Sequence, residues 1–518
     1  MNPLAATLLI PLIGFFAVIC IPRGRASGYR PAFWTAFIAS LITFFVSLTL
    51  IAPVAAAGSS FSSSVNVLWV DTPGLQIRLH LGVDGISLWL ILLTTLLVPI
   101  AVWISQTMVK ERHQNFFALL LLFEFGIIGV FSALDLLIFY VFWEVALVPM
   151  YLMVGGWGSA KRGPAAVKFF VYTMLGSVLM LACIIYLHSE TGSLDYVDIM
   201  NAIGSGRVML TPLQQILLFL GFFAAFAVKV PIFPLHTWLP NTYAEAPMPA
   251  TFLLAAVMSK MGAYGLIRYC LTITPAAAHR CAGWVAALAI VGIIYGALIA
   301  LIQPNIKRLL AYSSISHLGF IVLGVFTFVQ QGADGAVYQM LAHGISTGAL
   351  FLLAGYLEER RGSLEIADFG GVATAAPGLA TAFLITLFAS IGLPTLCNFI
   401  GEFLVLQGAA ITNFSWAVWA AIGVILSAAY MLWMYQRTFF GKTNERTAAF
   451  NDLNFRDWAP VLPLIALMIW LGSYTQSFMP PITSATSHLL DQTNMNNQYR
   501  VEIPSPHPVQ LAEGSHAH

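Results

Sequence analysis

Charged side chains are scarce in this chain of 518 residues, where Asp, Glu, Lys and Arg together make up 9% and hydrophobic residues make up 59%. A soluble globular domain carries about 25% charged residues. The composition therefore excludes a soluble enzyme and indicates a protein that lies largely within a membrane. The longest polar stretches run from about residue 56 to 85 and from about 480 to the end. We therefore expect no soluble extramembrane domain.

Cysteine is also sparse, and its placement excludes several kinds of site. The five cysteines lack CxxC spacing and lie far apart: Cys20, Cys183, Cys270, Cys281 and Cys397. They predict neither a disulfide framework nor a zinc or iron–sulfur site. We expect no cofactor and no metal in this chain.

Long apolar stretches, in contrast, recur from one end of the chain to the other. Crossing the hydrocarbon of a bilayer takes about 20 residues of helix. The sequence predicts an all-α polytopic membrane protein with about 14 such spans, at residues 2–21, 33–55, 86–107, 115–132, 133–155, 165–187, 211–230, 248–268, 282–302, 307–329, 336–356, 376–396, 413–436 and 458–479. The remaining segment, 480–518, is predicted to be a polar C-terminal tail.

Basic residues are unevenly distributed between the two sides of these spans. One side carries Arg23, Arg25, Arg30, Lys110, Arg112, Lys161, Arg162, Lys168, Lys307, Arg308, Arg360, Arg361, Arg437, Lys442, Arg446 and Arg456. The other side carries only Arg78, Arg207, Arg268, Arg280 and Arg500. The positive-inside rule then places both termini outside the cytoplasm. The N-terminal apolar run has its arginines after it, so we expect a retained first span, not a cleaved signal peptide.

Two lysines lie within predicted spans. Lys229 occurs in LLFLGFFAAFAVKVPIFP and Lys260 in ATFLLAAVMSKMGAYGLI, each surrounded by apolar residues. A charge at the bilayer centre costs at least about 2.5 kcal/mol, so it is rare and marks ion or proton pathways. The two lysines therefore predict a protein that handles protons or ions within the membrane.

Two spans contain residues that interrupt helices. Pro231 and Pro234 lie two and five residues after Lys229, and Gly392 and Pro394 interrupt a later span. Proline lacks a backbone N–H and cannot continue a helix. Paired interruptions in two halves of a chain are typical of transporters built from structural repeats.

Further ionisable residues lie in predicted spans: Glu144, His317, His343 and Glu402. Hydroxyls stand one helical turn from some of them, Ser313 from His317 and Tyr264 from Lys260. Imidazole accepts and releases protons near neutral pH. Burial lowers the pKa of a lysine and a neighbouring carboxylate raises it again, so an acid–lysine pair of variable separation can act as a proton switch. These residues favour a proton path.

Each of these residues also has a structural interpretation. Either histidine could be a hydrogen-bond partner between helices, and Glu144 could be a static partner of Lys229. Lys168 begins a span and can extend its ammonium group to the interface. The secondary candidates are the residues with weaker signals: His236, Glu124, Asp135, Lys168, Ser313 and Tyr264. Whether His236 is a proton entry group or a packing residue stays open.

Several strings together resemble the antiporter-like membrane subunits of respiratory complex I: FWEVALVPMY, KFFVYT, FAVKVPIFPLHTWLP, IKRLLAYSSISHLGF, MLAHGISTGALF and IGLPTLCNFIGEF. The resemblance covers roughly residues 80 to 440. It implies helices 1–3 in residues 1–110, two inverted five-helix repeats at 115–268 and 282–436, discontinuous helices 7 and 12, and helix 14 at 458–479. Within the family, glutamate at Glu402 is typical of the M type, whereas the L and N types usually carry lysine.

The resemblance also implies roles for individual residues. Glu144 matches the glutamate that pairs with the lysine of the seventh helix, here Lys229, and Lys260 matches the central lysine of the eighth. His317 and His343 match histidines of the connecting axis, and Glu402 matches the proposed exit group.

The implied function is proton translocation coupled to electron transfer from NADH to quinone, with FMN and iron–sulfur clusters in other subunits. The implied partners are L-type and N-type chains, the lateral helix of the L-type chain and lipids, with no nucleic acid. The implied location is the bacterial inner membrane.

Other functions fit part of the sequence. A homologous subunit of a multisubunit cation/proton antiporter, a membrane-bound hydrogenase or the photosynthetic relative of complex I would use the same strings. A b-type cytochrome would need four suitably paired histidines, whereas the buried set is His236, His317 and His343. A stand-alone secondary transporter is the third alternative.

Overall fold

The computed structural model describes residues 2–22 and 30–495, and in this part of the chain helices dominate. Helices of the N-terminal half are α1 (Pro3–Cys20), α2 (Arg30–Leu48), α3 (Ile51–Ala57), α4 (Ser87–Met108), α5 (His113–Ser132), α6 (Leu136–Trp157), α7 (Arg162–Thr191), α8 (Tyr196–Gly204), α9 (Pro212–Lys229), α10 (Leu239–Glu245), α11 (Met248–Leu253), α12 (Ser259–Gly265) and α13 (Leu271–Ile273). Two π-helical turns, Leu254–Met258 and Leu266–Cys270, join α11, α12 and α13 into one buried rod.

The C-terminal half continues with α14 (Pro275–Leu301), α15 (Ile306–Val325), α16 (Gln330–Arg361), α17 (Val372–Ala375), α18 (Pro377–Ser390), α19 (Cys397–Thr412), α20 (Phe414–Phe439), α21 (Glu445–Ala448), α22 (Phe455–Ser473) and α23 (Met479–Met495). Short 3-10 turns span Ile366–Asp368 and Thr475–Ser477. In the described ranges, 13 helices are long and apolar enough to cross a membrane. Together with the divided span α18–α19, they match the predicted polytopic fold.

A β-hairpin, which the sequence analysis did not predict, follows α3. Its strands β1 (Ser62–Thr72) and β2 (Leu75–Val83) pair antiparallel, with Val67 opposite Leu79. The predicted polar tail begins with another unexpected element, α23, which packs against α16 and α3. We call the side of the molecule that carries the hairpin and α23 the hairpin face. Neither the hairpin nor α23 could be predicted from the length of an apolar run, because both lie in polar stretches of the sequence.

Both predicted helix interruptions are present. Helix α9 ends at Lys229 and the chain becomes helical again only at Leu239. The indole N–H of Trp238 donates to the carbonyl of Val228 at 2.8 Å, so a side chain satisfies one of the backbone groups that the break frees. The second break separates α18 from α19, so the helix in the predicted span 376–396 ends at Ser390, and α19 lies beyond the predicted bound.

The backbone supports an internal repeat. Asp135 forms an isolated β-bridge with Asp195, and Asn305 forms one with Glu365. Asn305 follows Asp135 in the chain by the same number of positions as Glu365 follows Asp195. Asp135 caps α6 and Asn305 caps α15 through their side chains. The two bridges are separated by five spans, so they lie at opposite ends of the bundle. This is the arrangement that inverted repeats require.

Some of the basic residues used to predict the orientation lie outside the described residues, and two others are buried. Arg23, Arg25 and Arg500 lie outside the described residues. Arg268, the last residue of the predicted span 248–268 and counted there with the basic residues of one side, is instead buried inside the rod of α11 to α13. Lys307 is also buried, and its ammonium group donates to the carbonyl of Ala246 at 2.6 Å.

Gly262 lies where α12 packs directly on the end of α9. A Cβ atom there would be 2.7 Å from the carbonyl oxygen of Phe226 and 2.9 Å from the backbone nitrogen of Val230. We expect Gly262→Ala to lower the free energy of unfolding by about 1–3 kcal/mol, because backbone cannot move aside as a flexible side chain can. The midpoint of thermal unfolding in detergent measures the effect. Gly283→Ala is the matched control, since a Cβ there meets no atom within 4 Å, and equal midpoints would contradict the expectation.

Candidate functional site

Lys260 and His343 form a contact at the centre of the bundle. The ammonium group of Lys260 donates to the carbonyl of Ala255 at 2.7 Å and lies 2.8 Å from Nδ1 of His343. Both side chains are fully buried. The π-helical turn Leu254–Met258 immediately precedes α12, and such turns are frequent at functional sites. Lys260 thus has a direct partner on α16, in the second half of the chain.

His317 and Glu402 form a second contact. Nδ1 of His317 lies 2.7 Å from Oε1 of Glu402, and the amide of Gln339 donates to the same oxygen at 3.0 Å. The rings of His317 and His343 lie 5.7 Å apart, centre to centre. The structure therefore brings four predicted residues into one buried series, in the order Lys260, His343, His317 and Glu402.

The break between α18 and α19 makes room for Glu402. Gly392, at the start of the break, has φ +78°, a conformation that favours glycine. A Cβ at this position would lie 3.2 Å from Oε2 of Glu402. Backbone conformation and close approach therefore both require a glycine beside this carboxylate.

Two polar residues that the sequence analysis missed extend the series beyond His317. Oγ of Ser427 lies 3.5 Å from Nε2 of His317, and Tyr430 donates to Ser427 at 3.3 Å. Ser313, predicted to lie beside His317, contacts Tyr430 at 2.8 Å instead. Ser427 and Tyr430 stand three residues apart in an apolar helix, and this spacing on one helix face was a signal that could have identified them.

Lys229 lies apart from this series. It is the last residue of α9, fully buried, and its ammonium group has no hydrogen-bond partner among the described residues. The nearest aromatic rings belong to Trp143 and Phe169, with centres 5.3 and 5.5 Å from Nζ. Cation–π attraction therefore provides part of the stabilisation that a buried ammonium group needs.

Glu144 lies close enough to Lys229 to interact electrostatically, but no hydrogen bond joins these two described side chains. Glu144 is half-buried, and one of its carboxylate oxygens is buried without a hydrogen-bond partner. Its neighbours on the same helix face, Val141 and Val148, are exposed. The carboxylate therefore lies near the outer surface of the chain, within an apolar face of α6.

The secondary candidates fall into two groups, the first at the α9 break. Lys168 donates to the carbonyl of Thr237 at 2.8 Å, which supports the interrupted backbone. His236 is buried, its ring lies 5.6 Å from that of Phe233 and 5.2 Å from that of Tyr295, and its Nδ1 has no hydrogen-bond partner within residues 2–22 and 30–495.

The other candidates lie in or next to the spans. Asp135 caps α6 by accepting from the backbone of Leu137 and Ile138, which is a structural role. Glu124 is fully buried, and neither carboxylate oxygen has a hydrogen-bond partner in the described chain. Tyr264 packs against Phe131 and Arg268, and no hydrogen bond joins it to Lys260.

Residues 2–22 and 30–495 contain no group of three or more His, Cys, Asp or Glu side chains placed to hold a metal ion. The buried polar groups instead form a linear series of proton donors and acceptors, which is chemically suited to proton transfer.

Comparison with known proteins identifies the family. Residues 133–429 match the family described as "NADH:quinone oxidoreductase/Mrp antiporter, TM". The chain belongs to this family. NADH-quinone oxidoreductase subunit M of Rhodobacter capsulatus is 40% identical over 501 residues, covering 94% of this chain and 96% of the relative. Its counterpart in Mycobacterium tuberculosis H37Rv is 37% identical over 557 residues, covering 99% of each chain.

Two solved structures have the same fold. A chain of respiratory complex I from Thermus thermophilus superposes with a TM-score of 0.83 at 32% identity, covering 95% of this chain and 100% of that one. A chain of the Mrp complex from Dietzia sp. DQ12-45-1b superposes with a TM-score of 0.82 at 20% identity, covering 96% and 99%. At this identity the second likeness concerns the fold alone.

Replacement of Glu402 tests the contact with His317. In Glu402→Gln the charge-assisted hydrogen bond becomes a neutral one, so we expect a loss of about 1 kcal/mol in the free energy of unfolding, the difference between the two kinds of bond. Glu359→Gln, on the exposed end of α16, is the matched control and should change it by less than about 0.5 kcal/mol. Thermal unfolding in detergent compares the variants, and equal midpoints would show that the pair contributes nothing to stability.

Proposed function

We propose that this chain is an M-type proton-translocating membrane subunit of a bacterial NADH–quinone oxidoreductase, respiratory complex I. Family membership and the identity to subunit M relatives support the assignment. The single observation that carries the mechanism is the buried series Lys260, His343, His317 and Glu402, in which hydrogen-bond contacts join the first pair and the last pair and the two imidazole rings lie 5.7 Å apart. Redox chemistry takes place in other subunits, which hold FMN and the iron–sulfur clusters.

The proposed path begins at Glu144. A charge change in a neighbouring subunit moves this side chain relative to Lys229, and the Coulomb interaction between them changes the proton affinity of the lysine. The proton then passes to Lys260. From there it crosses the contact with His343, reaches His317 and arrives at Glu402, the exit group.

The energy scale of such a switch is sufficient. Moving one charge against 100 mV requires about 2.3 kcal/mol. A change in proton affinity of about two pKa units corresponds to about 2.7 kcal/mol. No hydrogen bond holds Lys229 to Glu144, so the distance between the two groups can change without breaking one.

The orientation and partners belong to the same proposal. The basic ends of the spans lie in the cytoplasm, so both termini and the hairpin face lie on the periplasmic side of the inner membrane. L-type and N-type chains and the lateral helix of the L-type chain are the proposed neighbours. A carboxylate at membrane depth is too costly to leave against lipid, so one of these chains covers Glu144.

Variants in the assembled complex test the path. We expect Glu144→Ala and Lys229→Ala each to reduce NADH-driven proton uptake at least about tenfold, because a positioned acid or base contributes at least that much to proton transfer. Uptake into vesicles is measured together with NADH oxidation. Glu359→Ala and Lys442→Ala, which change exposed residues of the same types, serve as matched controls. Normal uptake in either path variant would rule out its proposed role.

The proposed contact between a neighbouring subunit and the surface around Glu144 can be tested by photo-crosslinking. A photoreactive amino acid at Val148, one turn from Glu144 and exposed in this chain, should capture another membrane subunit when the complex is intact. The same residue in detergent-dissociated chain is the control and should capture none. Crosslinks to lipid alone in the intact complex would show that Glu144 faces the bilayer.

A further inference from the structure

Asp84 and Arg268 form a buried ion pair that the proton path does not use. Arg268 lies in the second π-helical turn, Leu266–Cys270, and its guanidinium group contacts the carboxylate of Asp84. Their side chains are only 6% and 4% exposed. Asp84 also accepts from the backbone of Ile86 at 3.2 Å, and from the backbone and hydroxyl of Ser87 at 2.9 and 3.0 Å. The carboxylate is therefore rigidly held at the start of α4.

Aromatic rings surround the guanidinium group. Ring centres of Phe61, Tyr264 and Tyr196 lie 5.0, 5.3 and 5.9 Å from its central carbon. Phe61 directly precedes β1 and Tyr196 begins α8, so separate segments of the hairpin face converge on this one cation. Because rings from separate segments surround the guanidinium group, they exclude water from around the ion pair.

Arg268 lies two helical turns after Lys260 along the same buried helix. Tyr264 follows Lys260 by one helical turn, and Arg268 follows Tyr264 by another, in the direction of the hairpin face. The shortest route from Lys260 to that face along this helix passes Tyr264 and then meets the ion pair. The alternative route, through His343, leads sideways into the second half of the chain.

The chemistry of arginine makes it unsuitable as a relay. A proton wire needs groups that both donate and accept, as a tyrosine hydroxyl or an imidazole does, but guanidinium has no acceptor and does not release its proton at physiological pH. Fixed arginines exclude protons from pores for electrostatic reasons as well. Stability alone is a weak reason for a buried ion pair, because apolar residues of similar volume often serve as well.

We infer that Asp84 and Arg268 form a proton barrier that closes the hairpin-face end of the Lys260 site. Protons at Lys260 are thereby directed to His343 and do not leave on the hairpin face of the first half. The inference rests on the proposed function, since it assigns a direction to protons on that path.

Passive proton leak in the absence of NADH tests the barrier. The assembled complex is reconstituted in liposomes that contain a pH-sensitive dye, a pH gradient is imposed, and its decay is followed with valinomycin and potassium present. We expect the gradient to decay several-fold faster with the double variant Asp84→Asn/Arg268→Gln, because both amides donate and accept and neither leaves a buried charge unpaired. Arg207→Gln, an exposed arginine on the same face, is the matched control and should leave decay unchanged.

Arg268→Gln alone should also leak, whereas Arg268→Lys, which keeps a donor-only cation, should hold the gradient. A double variant that assembles normally and holds the gradient as well as the parent would overturn the inference. Failure of the double variant to assemble would overturn it too, because the pair would then be required for folding. Since no NADH is added, these outcomes are separate from failure of the proposed function, which would appear as normal NADH-driven uptake in Lys229 or Glu144 variants.

Discussion

A charge at membrane depth has to be enclosed by protein, and this constraint shapes the centre of the molecule. Lys260 is enclosed by a carbonyl from its own π-helical turn and by an imidazole from α16. Lys229 is enclosed differently, by aromatic rings and by the electrostatic attraction of Glu144. The first ammonium group has close partners and the second has none within hydrogen-bond distance. Only the second therefore depends on an interaction that a small movement can change.

The interrupted helices have complementary roles around these charges. At the first break, Trp238 and Lys168 occupy carbonyls of the opened backbone, so the chain there is held by side chains. At the second break, Gly392 allows the backbone to pass close to Glu402. Irregular backbone at membrane depth is tolerated only where protein or a polar cavity surrounds it. Both breaks consequently lie beside the groups that carry charge.

The two halves of the chain are joined through a polar axis. Contacts from α12 to α16 and from α15 to α19 connect Lys260 to Glu402 across the boundary between the repeats. On the hairpin side of Lys260, the guanidinium group of Arg268, which cannot accept a proton, packs against the rings of both Tyr264 and Tyr196. The geometry thus favours lateral transfer along the axis.

Much of the fold could be predicted because it follows from local chemistry. Apolar length determined the spans, proline and glycine determined the two breaks, and the cost of burying charge singled out Lys229, Lys260 and Glu402. The hairpin and α23 escaped prediction because polar segments acquire structure only from contacts with distant parts of the chain.

Tertiary structure alone decided which ionisable groups meet. The residues around Arg268 do not indicate its ion pair, because Asp84, its partner, lies far away in sequence. Ser313 is one turn from His317 in the chain, yet it contacts the hydroxyl of Tyr430, because α15 packs against α20. Sequence by itself determined which side chains are expensive to bury, since that cost belongs to each residue. Their pairing depends on how separate helices pack, which no single segment encodes.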